Sequence, residues 1–258
     1  MQRNKNSARV QTMPYTFKPT FFLSVFCLIL FGVFLSLGVW QVNRVEEKEL
    51  QQQVIDQRVK QPATVLNQTP TPDIQPHTKA TVSGKYRVAE QFLLDNIIQA
   101  GKPGFYVITP FEIAETDDVI LVNRGWIAQK RTRLDLPKIT TILSNQTLQG
   151  TLSTPRSKPV ILGSIDNPVS DTPPLWYYMD SEHFEKTVGY TVLPLILKLS
   201  PATNTTLDSQ LIRQWPKFEA KTGMHIGYAI QWFVFALFVL MAFFGTSFKK
   251  NSIGSEHD

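Results

Sequence analysis

Two long apolar runs near the ends of the chain dominate its pattern of hydrophobic and polar positions. Residues 21–40 (FFLSVFCLILFGVFLSLGVW) contain no charged side chain, and residues 224–245 form a second run of similar character. An α-helix rises about 1.5 Å per residue, so about twenty residues cross the hydrocarbon core of a bilayer. The pattern predicts two transmembrane helices, with tails at residues 1–20 and 246–258 and a polar region at residues 41–223 between the helices.

A cleaved signal peptide is the alternative interpretation of the first run. Ser36-Leu37-Gly38 offers the small residues that a cleavage site needs. The apolar core of a signal peptide, however, spans roughly 7–15 residues, and this run is longer. We therefore interpret the first run as a retained membrane anchor.

Short segments of β-like pattern fill most of the region between the two runs. Residues 42–60 first continue the helical pattern, and the proline-rich residues 61–76 form a linker or an extended arm. Residues 181–188 read as a short helix with Ser181 as a candidate N-cap. Runs rich in β-branched and aromatic residues predict strands at residues 80–88, 91–95, 105–110, 119–128, 146–152, 175–179 and 192–199.

The predicted fold class follows from these elements. We expect a membrane protein in which two transmembrane α-helices flank one β-rich extracytoplasmic domain. The domain is expected to be of the α+β type, with a mainly antiparallel sheet.

Short basic segments flank both apolar runs on their outer sides: Arg3, Lys5, Arg9 and Lys18 precede the first, and Lys249 and Lys250 follow the second. Such segments stay on the cytoplasmic side, so both termini are predicted to be cytoplasmic. Acidic and basic residues nearly balance between the runs, so the pI of about 9.2 reflects topology and does not indicate nucleic-acid binding. The short N-terminal tail favours the inner membrane of a bacterium over that of a mitochondrion.

The sequence contains none of the motifs that indicate a familiar catalytic chemistry. HExxH, GxSxG, a phosphate-binding glycine loop and CxxC are all absent. The single cysteine, Cys27, lies in the first apolar run, so the translocated region has no thiol for disulfide exchange or copper delivery. We therefore expect a protein without enzymatic activity.

Polar and aromatic residues gather where the two apolar runs meet the translocated side. His225, Tyr228 and Trp232 are spaced by three and four residues, which places them on one face of the second helix. Trp40 and Arg44 lie at the corresponding end of the first helix. These residues form either an ordinary membrane-interface belt or a binding site.

Each interpretation of this gathering has its own support. A belt combined with helix pairing is favoured by Gly32 and Ser36, a small-residue surface that would let the second helix approach closely. A ligand is favoured by Gln231 and Trp232, which lie more than one turn inside the apolar run. A flat amphipathic molecule fits such a set, and haem, a quinone and a lipid headgroup all remain open at this point.

Five segments of the chain, in order along the sequence, resemble one protein family. They are LGVWQ at residues 37–41, GKY at 84–86, LDN at 94–96, VNRGW at 122–126 and HIGYAIQW at 225–232. The set resembles the Surfeit locus protein one family, whose members are membrane assembly factors for cytochrome c oxidase. Ile97 stands where the family often has arginine, and Gly223-Met224 where it often has two asparagines, so no role of those family residues is expected here.

The resemblance implies a function in building the haem-copper catalytic subunit of the oxidase. That subunit and haem a synthase are the implied partners, beside the lipid bilayer. Haem a is the implied cofactor, with His225 as its axial ligand. The hypothesis places Trp40, Tyr228 and Trp232 around the macrocycle and pairs Arg44 and Arg124 with its propionates.

Other interpretations stay open beside this one. For Arg124 a structural contact at a strand end is an equal alternative, and Trp126 is expected in the core. The whole protein is alternatively a cofactor-free scaffold that holds an oxidase subunit, or a two-span sensor of an extracytoplasmic ligand.

Overall fold

The computed structural model describes residues 15–70, 73–131, 135–155, 175–203 and 209–250. The chain divides into two compact units. The first, which we call the helical unit, comprises Met1–Gln53 and Glu219–Asp258. The second, which we call the β domain, comprises Val54–Phe218.

Two long helices form the helical unit. α1 (Phe21–Lys60) continues without a break beyond the first apolar run, as the pattern predicted, and α3 is Gly223–Ser247. Both helices are long and apolar enough to cross a membrane. Two short strands, β1 (Tyr15–Phe17) and β10 (Phe248–Lys250), pair in an antiparallel manner. The remainder of the predicted tails, residues 1–14 and 251–258, lies outside the described residues.

The described part of the β domain contains eight strands and one α-helix of its own. The elements are β2 (Thr64–Val65), β3 (Lys79–Tyr86), β4 (Phe92–Gln99), β5 (Lys102–Ile113), β6 (Val119–Ala128), β7 (Gln146–Ser153), β8 (Leu175–Trp176), α2 (Ser181–Val188) and β9 (Ile196–Leu199). The bounds of β6 and α2 agree with the predicted ones. The side chain of Asp180, rather than that of Ser181, caps α2, since it accepts a hydrogen bond from the His183 N–H. β2 shows that the proline-rich segment is an arm of the sheet.

The strands form a mixed sheet in the order β2-β3-β7-β9-β6-β5-β4-β8. Hairpins make β4 and β6 antiparallel to β5. However, β9 lies between β6 and β7 and runs parallel to β6, while β2 and β8 run parallel to β3 and β4. The expectation of a mainly antiparallel sheet was therefore wrong. The chain passes through α2 before β9, and such a long connection permits a parallel pairing that a hairpin does not.

An additional pairing of β3 with β5 closes β3, β7, β9, β6 and β5 into a ring. Side chains such as Val82, Phe111 and Leu197 pack together in one buried cluster contributed by these strands. A second buried cluster joins Phe92 of β4 to Phe184 of α2. The core of the β domain thus lies both within the ring and beneath α2.

The VNRGW motif forms a bulge in β6. The register of β6 against β5 shifts between Asn123 and Gly125, so Arg124 is the extra residue. Gly125 has a φ of 143°, and a Cβ atom there would lie 3.0 Å from the Cβ of Leu211. Glycine is the residue that adopts this backbone conformation without strain.

The LDN motif forms a second bulge, in β4. The register shifts between Leu94 and Ile97, Asn96 has a φ of 60°, and its N–H donates to Asp95 Oδ1 at 2.6 Å. The indole Nε1 of Trp126 donates to the carbonyl of Ile97 at 3.0 Å. Trp126 therefore joins the two bulges, and its burial confirms the prediction that it belongs to the core.

We expect the substitution Gly125→Ala to lower the free energy of unfolding by about 1–3 kcal/mol, because alanine is strained at this φ and its Cβ crowds Leu211. Gly101→Asn is the matched control. Gly101 also has a positive φ, of 76°, but a Cβ there meets no atom within 4 Å, and asparagine tolerates this conformation. Urea denaturation of the full chain in detergent measures both changes. Equal losses in the two variants would contradict the strain argument.

Candidate functional site

A stripe of weakly exposed residues runs along each long helix of the helical unit. On α3, Ala229 and Ala236 are buried and the half-buried Trp232 lies between them. On α1, Gly38 and Gln41 are both buried. Spacings of three and four residues are typical of helices that pack along one seam. We call the line of contact between these two stripes the seam.

Aromatic rings fill the seam. The ring of Trp232 stacks on that of Phe34 with centroids 5.8 Å apart, and Phe235 lies 5.6 Å from Phe34. The ring of Phe233 covers Gly38, where an added Cβ would come within 2.6 Å of it. Gly38 is therefore a point where the Phe233 ring of α3 lies directly against the backbone of α1, and a side chain there would displace that ring.

The close approach that was predicted at Gly32 and Ser36 is not observed. An added Cβ on Gly32 would meet no atom within 4 Å, and Ser36 Oγ donates to the Gly32 carbonyl at 2.7 Å. The spacing of small residues identifies a surface that could admit a helix. The spacing does not show which side of α1 the helix α3 covers. In the structure, α3 covers the side that carries Gly38.

A hydrogen bond between Gln41 and His225 joins the two helices at one end of the seam. The Gln41 Oε1 and His225 Nδ1 atoms are 2.8 Å apart. The carbonyl oxygen of an amide is an acceptor only, so Nδ1 carries the proton and donates. The neutral imidazole then has its lone pair on Nε2. His225 thus presents a nitrogen that can ligate a metal.

The exposed aromatic side chains near His225 lie within about one helical turn of it along the helix axes. Tyr228 follows His225 by three residues and is 50% exposed. Trp40 precedes Gln41 and is 53% exposed. Trp232, by contrast, packs inside the seam. Of the predicted aromatic set, Tyr228 and Trp40 therefore offer ring surface to a molecule outside the helix pair, and Trp232 supports the helix that carries His225.

Arg44 lies about one turn beyond Gln41 on α1. Its guanidinium forms an ion pair with the carboxylate of Glu47, and both side chains are largely exposed. Exposed ion pairs of this kind contribute about 0–1 kcal/mol. Arg44 can therefore exchange Glu47 for another carboxylate at little cost.

Arg124 belongs to the β domain, where its side chain is buried. One guanidinium nitrogen, Nη1, donates to Gln91 Oε1 at 3.0 Å and to the hydroxyl of Thr141. The other, Nη2, donates to the Thr140 carbonyl at 2.9 Å, and the group lies 5.1 Å from the ring centre of Tyr86. These contacts give Arg124 a structural role. Its pairing with a propionate stays a prediction.

Two further described histidines also belong to the β domain. Burial and the positive charges of Lys198 and Arg58 lower the pKa of His77. His183 lies on α2, with its ring 5.3 Å from that of Trp176. No group of three or more His, Cys, Asp or Glu side chains that could hold a metal ion is found in the part of the chain that the structure describes. His225 differs from the other two in lying in an apolar helix of membrane-spanning length.

Gln41 belongs to the LGVWQ motif at residues 37–41, but the motif by itself predicts no function for it. Its signal is visible in retrospect: it follows Gly38 by three residues and Phe34 by seven, which places it on the seam. A polar residue at a seam position at the end of an apolar run requires a partner. The partner itself, His225, is 184 positions away in sequence, and no local pattern reveals it.

Comparison with known proteins identifies the family of this chain. The model of the SURF1 family matches residues 28–237. The chain belongs to the SURF1 family. The SURF1-like protein of Rickettsia felis is 25% identical over 88% of this chain and 96% of its own length. Surfeit locus protein 1 of Rattus norvegicus is 26% identical over 65% of this chain and 58% of its own length.

A third relative has a name that describes a function. The cytochrome oxidase assembly protein SHY1 of Saccharomyces cerevisiae is 26% identical over 38% of this chain and 26% of its own length. The region that the SURF1 family model matches contains Gln41 and His225. Both sides of the hydrogen bond across the seam therefore lie in the part of the chain that defines its membership of the SURF1 family.

In this SURF1-family chain, we expect Gly38→Leu to separate α1 from α3, because the new side chain would occupy the space of the Phe233 ring. Gly32→Leu is the matched control, since the space beside Gly32 is open. Cysteines introduced by Phe34→Cys and Trp232→Cys, in a Cys27→Ser background, report the pairing through a short thiol cross-linker. The cross-linked fraction should fall with Gly38→Leu and persist with Gly32→Leu. Equal cross-linking in both variants would contradict the seam.

Proposed function

We propose that this chain is an assembly factor for the haem-copper cytochrome c oxidase and that it holds haem a for the catalytic subunit. Membership of the SURF1 family and the name of its yeast relative support the assembly role. The observation that carries the haem proposal is the hydrogen bond from His225 Nδ1 to Gln41 Oε1. It leaves His225 Nε2 as a ligand nitrogen beside exposed aromatic rings.

The residues present fit a haem in their chemistry. Haem iron accepts an imidazole nitrogen as an axial ligand, and the macrocycle favours an apolar and aromatic site. Tyr228 and Trp40 supply exposed ring surface, while Arg44 supplies a guanidinium whose exposed partner, Glu47, is easily replaced by a propionate. His225 would hold the iron, the rings would border the macrocycle, and Arg44 would meet its polar edge.

The location of the protein is also part of the proposal. Basic segments outside both apolar runs favour cytoplasmic termini and a translocated β domain. The SURF1-like proteins of Rickettsia species among its relatives are compatible with a bacterial inner membrane. The catalytic subunit of the oxidase, itself embedded in the bilayer, is the proposed partner, with haem a synthase as the proposed source of the cofactor.

Purified protein from cells that make haem a should show a haem absorption band, and His225→Ala should remove most of its intensity, because the iron loses its axial nitrogen. His183→Ala is the matched control, since it removes a histidine of the β domain. The spectrum of detergent-purified protein, scaled to protein concentration, measures both. A band of unchanged intensity in His225→Ala would rule out His225 as the ligand.

A cofactor-free scaffold is the second candidate function. The hydrogen bond between Gln41 and His225 favours it as well, since a polar contact between apolar helices also serves helix pairing alone. The two functions differ in the haem content of the purified wild-type protein and in the oxidase that cells containing His225→Ala accumulate. Haem delivery predicts an oxidase subunit that assembles without its full haem content, so that oxidase activity falls below that of wild type. A scaffold predicts haem-free wild-type protein that still co-purifies with oxidase subunits.

A further inference from the structure

We propose that Gln41 is the positioning residue of the histidine site: it holds His225 in the tautomer whose Nε2 is free to bind iron, and it fixes the direction of that nitrogen. The part of this proposal that concerns iron, namely that His225 Nε2 binds haem iron, rests on the proposed function. The tautomer assignment rests on the geometry of the helix pair alone.

The geometry makes Gln41 a rigid partner. Its side chain is only 7% exposed, and it lies in the interior of α1, three residues beyond Gly38, which is covered by Phe233. The 2.8 Å separation of Gln41 Oε1 from His225 Nδ1 is that of a well-formed hydrogen bond. A buried acceptor with few alternative positions restrains the ring that donates to it.

The donor of this hydrogen bond, His225, is also held in place by its helix backbone. His225 lies in the first turn of α3, where the Ile226 N–H already bonds to the Thr222 carbonyl at 3.0 Å. Its backbone is therefore part of the helix. With both backbones fixed, the hydrogen bond determines the orientation of the imidazole ring.

The tautomer follows from the chemistry of the two groups. An isolated neutral imidazole carries its proton on either nitrogen. An amide oxygen facing Nδ1 stabilises only the form with the proton on Nδ1, so the lone pair remains on Nε2. Histidines that bind metals ordinarily receive this support from a carboxylate, a carbonyl or a water at the other nitrogen.

The partner of His225 Nδ1 is an amide rather than a carboxylate, and this difference affects how strongly His225 Nε2 binds iron. A carboxylate would polarise the Nδ1–H bond more strongly and raise the basicity of Nε2. The neutral oxygen of Gln41 polarises the Nδ1–H bond less than a carboxylate would, so we expect His225 Nε2 to bind iron less tightly than a carboxylate-supported histidine does. A protein that must release its cofactor to a partner benefits from such a ligand.

The tautomer can be measured on the full chain without any haem. Nitrogen NMR of protein labelled with ¹⁵N-histidine, in nanodiscs at a pH where the imidazole is neutral, distinguishes the two forms, and His225→Ala identifies the signals. Wild type should show His225 with its proton on Nδ1. Gln41→Leu and Gln41→Asn should shift the population towards the Nε2 proton, because the first lacks an acceptor and the second is one methylene too short.

Two further variants make this measurement specific. Gln41→Glu keeps an acceptor of the same length and should retain the proton on Nδ1. Gln51→Leu removes an exposed glutamine of the same helix as Gln41, ten residues beyond it, and should leave the spectrum unchanged. An unaltered tautomer in both Gln41→Leu and Gln41→Asn, with the cross-link between positions 34 and 232 preserved, would overturn the proposal.

The effect of Gln41 on haem affinity is tested by titrating the haem-free protein with ferric protoporphyrin IX. Loss of a supporting partner at a metal-binding histidine typically lowers affinity by about 10- to 100-fold. We expect a loss in this range for Gln41→Leu and Gln41→Asn, tighter binding for Gln41→Glu, and no change for Gln51→Leu. Affinity in Gln41→Leu equal to that of wild type would overturn the role of Gln41 towards the ligand.

The two measurements separate this inference from the proposed function. A wild type that binds no haem, together with the expected tautomer changes, would defeat the haem proposal and leave the tautomer assignment standing. A wild type that binds haem through His225, together with an unchanged tautomer in the Gln41 variants, would defeat the positioning role and leave the haem proposal standing.

Discussion

The hydrogen bond between Gln41 and His225 is the contact on which the candidate site depends. Hydrogen bonds between membrane helices contribute on average about 0.6 kcal/mol, so this one adds little to the pairing of α1 and α3. The stacking of Trp232 on Phe34 and the contact of Phe233 with Gly38 add dispersion contacts along the seam. The bond therefore matters through what it orients: it directs one ring nitrogen to the glutamine and leaves the other for a ligand.

A comparable use of buried polar groups occurs in the β domain. The bulge in β6 gives Arg124 a place inside the fold, where an arginine without partners would be strongly destabilising. Gln91, Thr140 and Thr141 accept its hydrogen bonds, and Arg213 Nε donates to its carbonyl at 2.7 Å. Two motifs of the SURF1-family sequence thus specify bulges, which explains why each contains a residue with a positive φ, Asn96 in one and Gly125 in the other.

Local pattern predicted those elements whose signals are local. The β-branched and aromatic residues of β6, and the apolar spacing of α2, were sufficient to give their bounds. β5 begins before the predicted strand at residues 105–110, because Lys102, Pro103 and Gly104 also pair with β4 across a two-residue turn. The turn itself consists of Ala100 and Gly101, both with positive φ. Strand pairing outweighed the usual effect of proline and glycine at those positions.

The sequence by itself determined the two apolar helices, the extent of the β-rich region, the family and the histidine as the residue of interest. These properties follow from hydrophobicity, spacing and motif, which act over a few residues. Tertiary structure alone decided that the sheet is mixed, that Gly38 rather than Gly32 admits the second helix, and that Gln41 is the partner of His225. Each of those outcomes depends on which surfaces meet across a long separation in the chain, and only packing of the folded protein selects among surfaces that look equally suitable in sequence.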